Sequence, residues 1–121
     1  DYVTSCAFSR DGAAILSASA DSTIRLWDRE TGKEIRQYKG HTNWVTSCAL
    51  SRDGAAILSA STDSTIRLWD RETGKEIRQP MHLPWLPLQA CFAPDTPGCI
   101  ISANTNGTLA LYNISQNKSL I

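Results

Sequence analysis

The stretch STIRLWDRETGKEIRQ fills residues 22–37 and recurs unchanged at 64–79. It belongs to a longer copy. Residues 1–37 match 43–79 except at Asp1/Asn43, Tyr2/Trp44, Phe8/Leu50 and Ala20/Thr62. A strict 42-residue period constrains the fold more than any other feature. Each unit must build the same local structure and bury its apolar surface against its neighbours. A third, looser unit follows. CFAPD (91–95) stands where ALSRD (49–53) stood. CIISANTNGTLALYN (99–113) stands where AILSASTDSTIRLWD (56–70) stood, after one inserted residue.

Within a unit the local signals are those of strands. VTSCAFS and AAILSAS are apolar or small throughout, which predicts strands buried on both faces. TIRLWD alternates, with Ile24 and Leu26 on one side and Thr23, Arg25 and Trp27 on the other. KEIRQY is short and charged, which predicts an edge strand. Arg10-Asp11-Gly12, Ala20-Asp21-Ser22 and Glu30-Thr31-Gly32 carry turn chemistry between them. The expectation is an all-β chain of three units at about 1–39, 40–80 and 81–121, each with four antiparallel strands. No long 3.6-residue periodicity supports a helical repeat.

Composition narrows the function. Twelve Lys and Arg balance twelve Asp and Glu, so no basic stripe points to nucleic acid. No apolar run reaches the roughly 18 residues of a membrane span. Cys6, Cys48, Cys91 and Cys99 form no CxxC pair, and the two histidines lack metal-ligand spacing. Cys6 and Cys48 sit in apolar runs and read as small buried hydrophobes in a reducing compartment, cytoplasmic or else nuclear. There is no P-loop, GxGxxG, nucleophile elbow or metal cluster, so no catalytic, cofactor or metal residue is assigned and the chain reads as a non-enzyme.

The second unit carries Gly40-His41, then Asp63-Ser64-Thr65-Ile66, then Trp69-Asp70. With Trp27-Asp28 one period earlier, these residues resemble the WD repeat of β-propellers. The resemblance implies four-stranded blades around a central channel, with three blades in this chain. It implies that His41, Ser59, Asp63 and Trp69 form a structural tetrad within one blade. Physical logic agrees: a buried indole N–H needs an acceptor, and a serine, a neutral imidazole and a carboxylate can pass hydrogens along in one direction. The first unit supplies Ser17, Asp21 and Trp27, and its histidine would fall before Asp1. In the third, Asn106 and Tyr112 replace the Asp and the Trp, and His82 lacks its Gly, so no tetrad is expected.

The resemblance also implies a protein- or peptide-binding face, built from the loops entering the innermost strands and the turns before the Asp. Position by position these are Tyr2, Thr4 and Ala20, then Trp44, Thr46 and Thr62, then Trp85 or Leu86 with Thr105. Three of the four differences between the copies (1/43, 2/44 and 20/62) fall there. Tyr2, Trp44 and Trp85 are expected either to form an aromatic anchor for a partner or to pack between blades. Three blades predict an open arc, closed by more blades of a longer propeller or by identical subunits. A scaffold that binds a protein or peptide, without a cofactor, is the leading function. The alternatives are an architectural or sensor array of a large assembly or signalling ATPase, or a self-assembling open propeller fragment.

Overall fold

Every strand in the chain is short because turn residues interrupt it at regular intervals. In the computed structural model, residues 2–93 and 98–113 and the backbone of 118–119 are described. The first sheet contains β1 (Val3–Phe8), β2 (Ala14–Ser19), β3 (Thr23–Asp28) and β4 (Glu34–Lys39). The second contains β5 (Val45–Leu50), β6 (Ala56–Ser61), β7 (Thr65–Asp70) and β8 (Met81–His82). The third contains β9 (Pro87–Phe92), β10 (Cys99–Asn104), β11 (Leu109–Asn113) and β12 (Lys118–Ser119). Each is a four-stranded antiparallel meander in chain order. Register repeats with the sequence: Ile15 faces Trp27 as Ile57 faces Trp69.

The sheets stack face to face in a row, and the core lies between them. Ala14, Leu16, Ala18, Ile24, Leu26 and Tyr38 of the first sheet meet Val45, Cys48, Ile57 and Trp69 of the second. Leu58, Ala60, Ile66 and Leu68 of the second meet Leu83, Ala90 and Ile100 ahead of and within the third. Thr4 and Thr46 tie the innermost strands together. The Thr4 hydroxyl contacts the Val45 carbonyl, and that of Thr46 reaches the Pro87 carbonyl at 3.1 Å.

Two expectations are corrected here. The innermost strand is buried only where a sheet precedes it. Val3 is 66% exposed and its copy Val45 0%. Likewise Cys6 is exposed whereas Cys48 is buried, and burial pushes the Cys48 thiol up to about 12. Identical residues differ because the first sheet has a neighbour on one side only. The second correction concerns KEIRQ. In the first sheet its last four residues open the fourth strand; in the second, a single bridge from Trp69 to Glu76 survives before the chain bulges. Pro80 replaces Tyr38 and has no N–H for the ladder. Pairing resumes with Ile66 opposite Met81, one residue later than the copy requires, and β8 is two residues long.

Candidate functional site

Four side chains of the second sheet form one directed chain of hydrogen bonds. The Trp69 indole N–H donates to Ser59 Oγ at 2.9 Å. Ser59 Oγ lies 2.6 Å from His41 Nε2, and His41 Nδ1 lies 2.8 Å from Asp63 Oδ2. One arrangement of protons satisfies all three contacts: serine donates to Nε2, and Nδ1–H donates to the carboxylate. Burial pushes the imidazole below its ordinary value despite the Asp63 carboxylate, so His41 is neutral at pH 7. Burial would raise Asp63, but bonds from the Thr65 hydroxyl, His41 and the Thr42 N–H outweigh it and hold the carboxyl at about 2.

The chain of bonds joins the loop before β5, the inner strand β6, the turn that enters β7, and the far end of β7. A nucleophilic reading fails on geometry, because Ser59 and His41 are buried and the serine is already held from both sides. In the first sheet Trp27 donates to Ser17 at 2.9 Å, and Asp21 accepts from the Thr23 N–H and hydroxyl. In the third, Asn106 accepts the same two bonds from Thr108. There Leu83 occupies the place of His41, while His82 is exposed on β8 opposite Thr65.

The residues assigned to a binding face gather at one end of the three sheets. Backbone bonds fix the equivalences: Ala20 to Tyr2, Thr62 to Trp44 and Thr105 to Leu86. The third equivalent is therefore Leu86. Tyr2 and Trp44 lie side by side with ring centroids 6.4 Å apart, and they are 76% and 49% exposed. Trp85 does not join them. It is half-buried against the core between the second and third sheets, and its indole N–H finds no partner among the described residues. At the 42-residue spacing Leu86, not Trp85, is the counterpart of Trp44, and it lies at the surface. The hydroxyls of Thr4 and Thr46 are engaged by backbone carbonyls of their own and the next sheet, so they clip sheets together.

Comparison with known proteins settles the family. The model of the WD domain, G-beta repeat, matches residues 1–28 and 32–70, more than half of the chain. The chain belongs to the WD-repeat family. It is similar to WD repeat domain-containing protein 83 of Homo sapiens, 51% identical over 47 residues, which are 36% of this chain and 15% of that protein. It is also similar to guanine nucleotide-binding protein subunit beta-5b of Danio rerio, 38% identical over 42 residues, 35% of this chain and 11% of that one. Among solved structures, the Cps50 (Swd1) β-propeller domain of Myceliophteria thermophila superposes with a TM-score of 0.88 at 27% identity, over 98% of this chain and 38% of that one. The chain is thus an open, partial propeller of three blades, and it matches only a small part of its relatives' length.

Two residues around Trp69 carry a physical reason that the sequence pattern did not show. A Cβ on Gly40 would sit 2.9 Å from the Trp69 ring, so the glycine lets the backbone pass over the indole that its neighbour His41 helps to hold. Tyr38 was not singled out from the sequence, yet it is fully buried, edge-on to Trp69 at 6.1 Å, and donates to the Arg71 carbonyl at 2.8 Å. It is the lone aromatic of a charged outer strand, and that was the available signal.

Proposed function

We propose that this chain is a non-catalytic interaction scaffold that holds a protein or peptide at the end of its blades carrying Tyr2 and Trp44. The paired, exposed rings carry the reading, because aromatic side chains dominate interface hot spots. Within residues 1–37 and their copies only Phe8/Leu50 differs inside a strand, while Asp1/Asn43, Tyr2/Trp44 and Ala20/Thr62 vary around this end. Relatives of the family generally act as interaction scaffolds, which supports the same reading. Four free cysteines accord with a reducing, cytoplasmic or nuclear setting.

The test selects peptides from a random displayed library on the immobilised chain and measures their affinity by fluorescence anisotropy. Trp44→Ala is expected to weaken binding by about tenfold or more. Its melting temperature should move little, since Trp44 is half open to water. Unchanged affinity with a lowered melting temperature would mean that the ring only packs between blades.

A further inference from the structure

The turns that lead into the third strand of each blade share one geometry and differ in one dipeptide. Asp21-Ser22 and Asp63-Ser64 fill the first two, and Asn106-Gly107 fills the third. Ser22 and Ser64 are held at φ 75° and 67°. Gly107 takes the same left-handed position at 82°, where it has no side chain to be strained. The oxygen ahead of this position is held alike in all three turns. Thr23 and Thr65 each give an N–H and a hydroxyl to the aspartate Oδ1. Thr108 gives both to Asn106 Oδ1, at 3.2 and 2.5 Å.

The exchange sets an amide beside a backbone nitrogen able to attack it. Of the five asparagines, Asn106 alone precedes glycine. Asn43 precedes Trp44 and Asn104 precedes Thr105, whose side chains hinder closure of a ring through the following nitrogen. Beyond its neighbours in the chain, no atom comes within 4 Å of where a Gly107 Cβ would lie, so the approach is open. Both Thr108 donors point at the oxygen on which negative charge develops during attack, as in an oxyanion hole. The Gly107 N–H is bonded to the Asn104 carbonyl at 3.1 Å, and residues 105–109 are all exposed, so attack waits only on a local opening of the turn. Asp11-Gly12 and Asp53-Gly54 also place glycine second. Hydrogen bonds from Ser9 and Ser51 hold those carboxyls below their ordinary value, and an ionised carboxylate is a poor electrophile.

We infer that Asn106 is a site of self-modification in the folded chain, where the Gly107 nitrogen displaces the side-chain amide. That nitrogen loses its proton to solvent base and bonds to Asn106 Cγ. The Cγ–Nδ2 bond breaks, and ammonia leaves with a proton taken from water, which closes a succinimide. Water then opens the ring at one of its two carbonyls, to aspartate or to isoaspartate. Water is consumed and ammonia released, mole for mole. Aspartate restores the acid that the first two turns carry and accepts the same bonds from Thr108. Isoaspartate lengthens the backbone inside the loop closed by the Asn104 N–H and the Thr108 carbonyl, so the turn must rearrange. Either product adds a negative charge beside Thr105, at the end of the blades that carries Tyr2 and Trp44. The chemistry is independent of what binds there.

Peptide mass mapping of the folded chain, aged at neutral and at mildly alkaline pH, tests it. The peptide holding Asn106 should gain the mass of an amide turned to an acid, and gain it faster at the higher pH. In water labelled with heavy oxygen the product should carry the label. Peptides holding Asn43 and Asn104 should stay unchanged over the same interval. Gly107→Ser copies the turn that Ser22 and Ser64 already form, so it should fold, and it is expected to lose most of the gain. His41→Ala weakens the folded chain as a whole by stranding Ser59 and Asp63. It should leave the rate at Asn106 unchanged, because only the turn has to open. No gain at Asn106, an equal gain at Asn43 or Asn104, an undiminished gain in Gly107→Ser, or a rate that rises with the unfolding caused by His41→Ala overturns the inference.

Discussion

His41 couples the middle blade to pH through the direction of its hydrogen bonds. The folded imidazole accepts from Ser59 at Nε2, so a proton there would break the chain. Burial lowers its proton affinity below the ordinary histidine value. Below about pH 6.5 the unfolded histidine takes up a proton that the folded one resists. The unfolded state then binds more protons, so stability falls with pH in that window. Asp63, held at about 2, contributes stability that is present above about pH 4 and is lost as pH falls towards 2. The melting temperature should therefore drop between pH 7 and 5, and His41→Gln should flatten that slope. At pH 7, His41→Ala or Asp63→Ala should cost about 1–3 kcal/mol in denaturant unfolding, because each strands buried partners. Unaltered melting in both would show that the chain of bonds adds nothing. This network was legible through the resemblance to the WD repeat, with which the donor and acceptor needs of an indole, a serine, an imidazole and an acid agree. The exposure of Cys6 was not legible, since its own residues are those around buried Cys48 and only the neighbouring blade differs.

Between blades, the outermost strand does more than close an edge. The β4 segment is charged or polar except at Ile35 and Tyr38, and Tyr38 turns inward to meet the Trp69 of the next blade. Its hydroxyl reaches the Arg71 carbonyl just beyond the end of β7. Burial raises the Tyr38 phenol above its ordinary value, so it remains a donor throughout the neutral range. Tyr38→Phe keeps the ring contact and removes the donor. It should cost about 1 kcal/mol, and Tyr38→Ala about 3–5 kcal/mol, measured by urea unfolding. Equal losses for the two would assign the whole effect to the hydrogen bond and none to the ring. The strand order followed from periodicity and turn residues. The loss of the KEIRQ strand in its second copy did not, because Pro80 lies one residue past the repeated text. The slip it causes still brings Met81 opposite Ile66, as Tyr38 lies opposite Ile24, so an apolar side chain again meets the following blade.

Across the whole molecule, stability is distributed by neighbours rather than by composition. Each blade touches only those beside it, so a repeat array behaves as a sum of unit and interface energies. The strand AILSAS shows this directly: at 14–19 its burial alternates, and at 56–61 nearly every residue is buried. Propensity is the same in both copies, hence any difference in local opening comes from the second interface. In a single chain the middle blade should be the last to exchange its amide hydrogens. Mass spectrometry can separate the copies through peptides that span a differing position, such as Phe8 or Leu50, Tyr2 or Trp44, and Ala20 or Thr62. At a concentration where the chain is monomeric, peptides carrying Leu50 and Thr62 should exchange slower by tenfold or more than those carrying Phe8 and Ala20, since about 1.4 kcal/mol of extra local stability corresponds to a factor of ten. Equal exchange in the monomer would mean that the blades open as one cooperative unit, with the interface between any two of them no weaker than the sheets themselves.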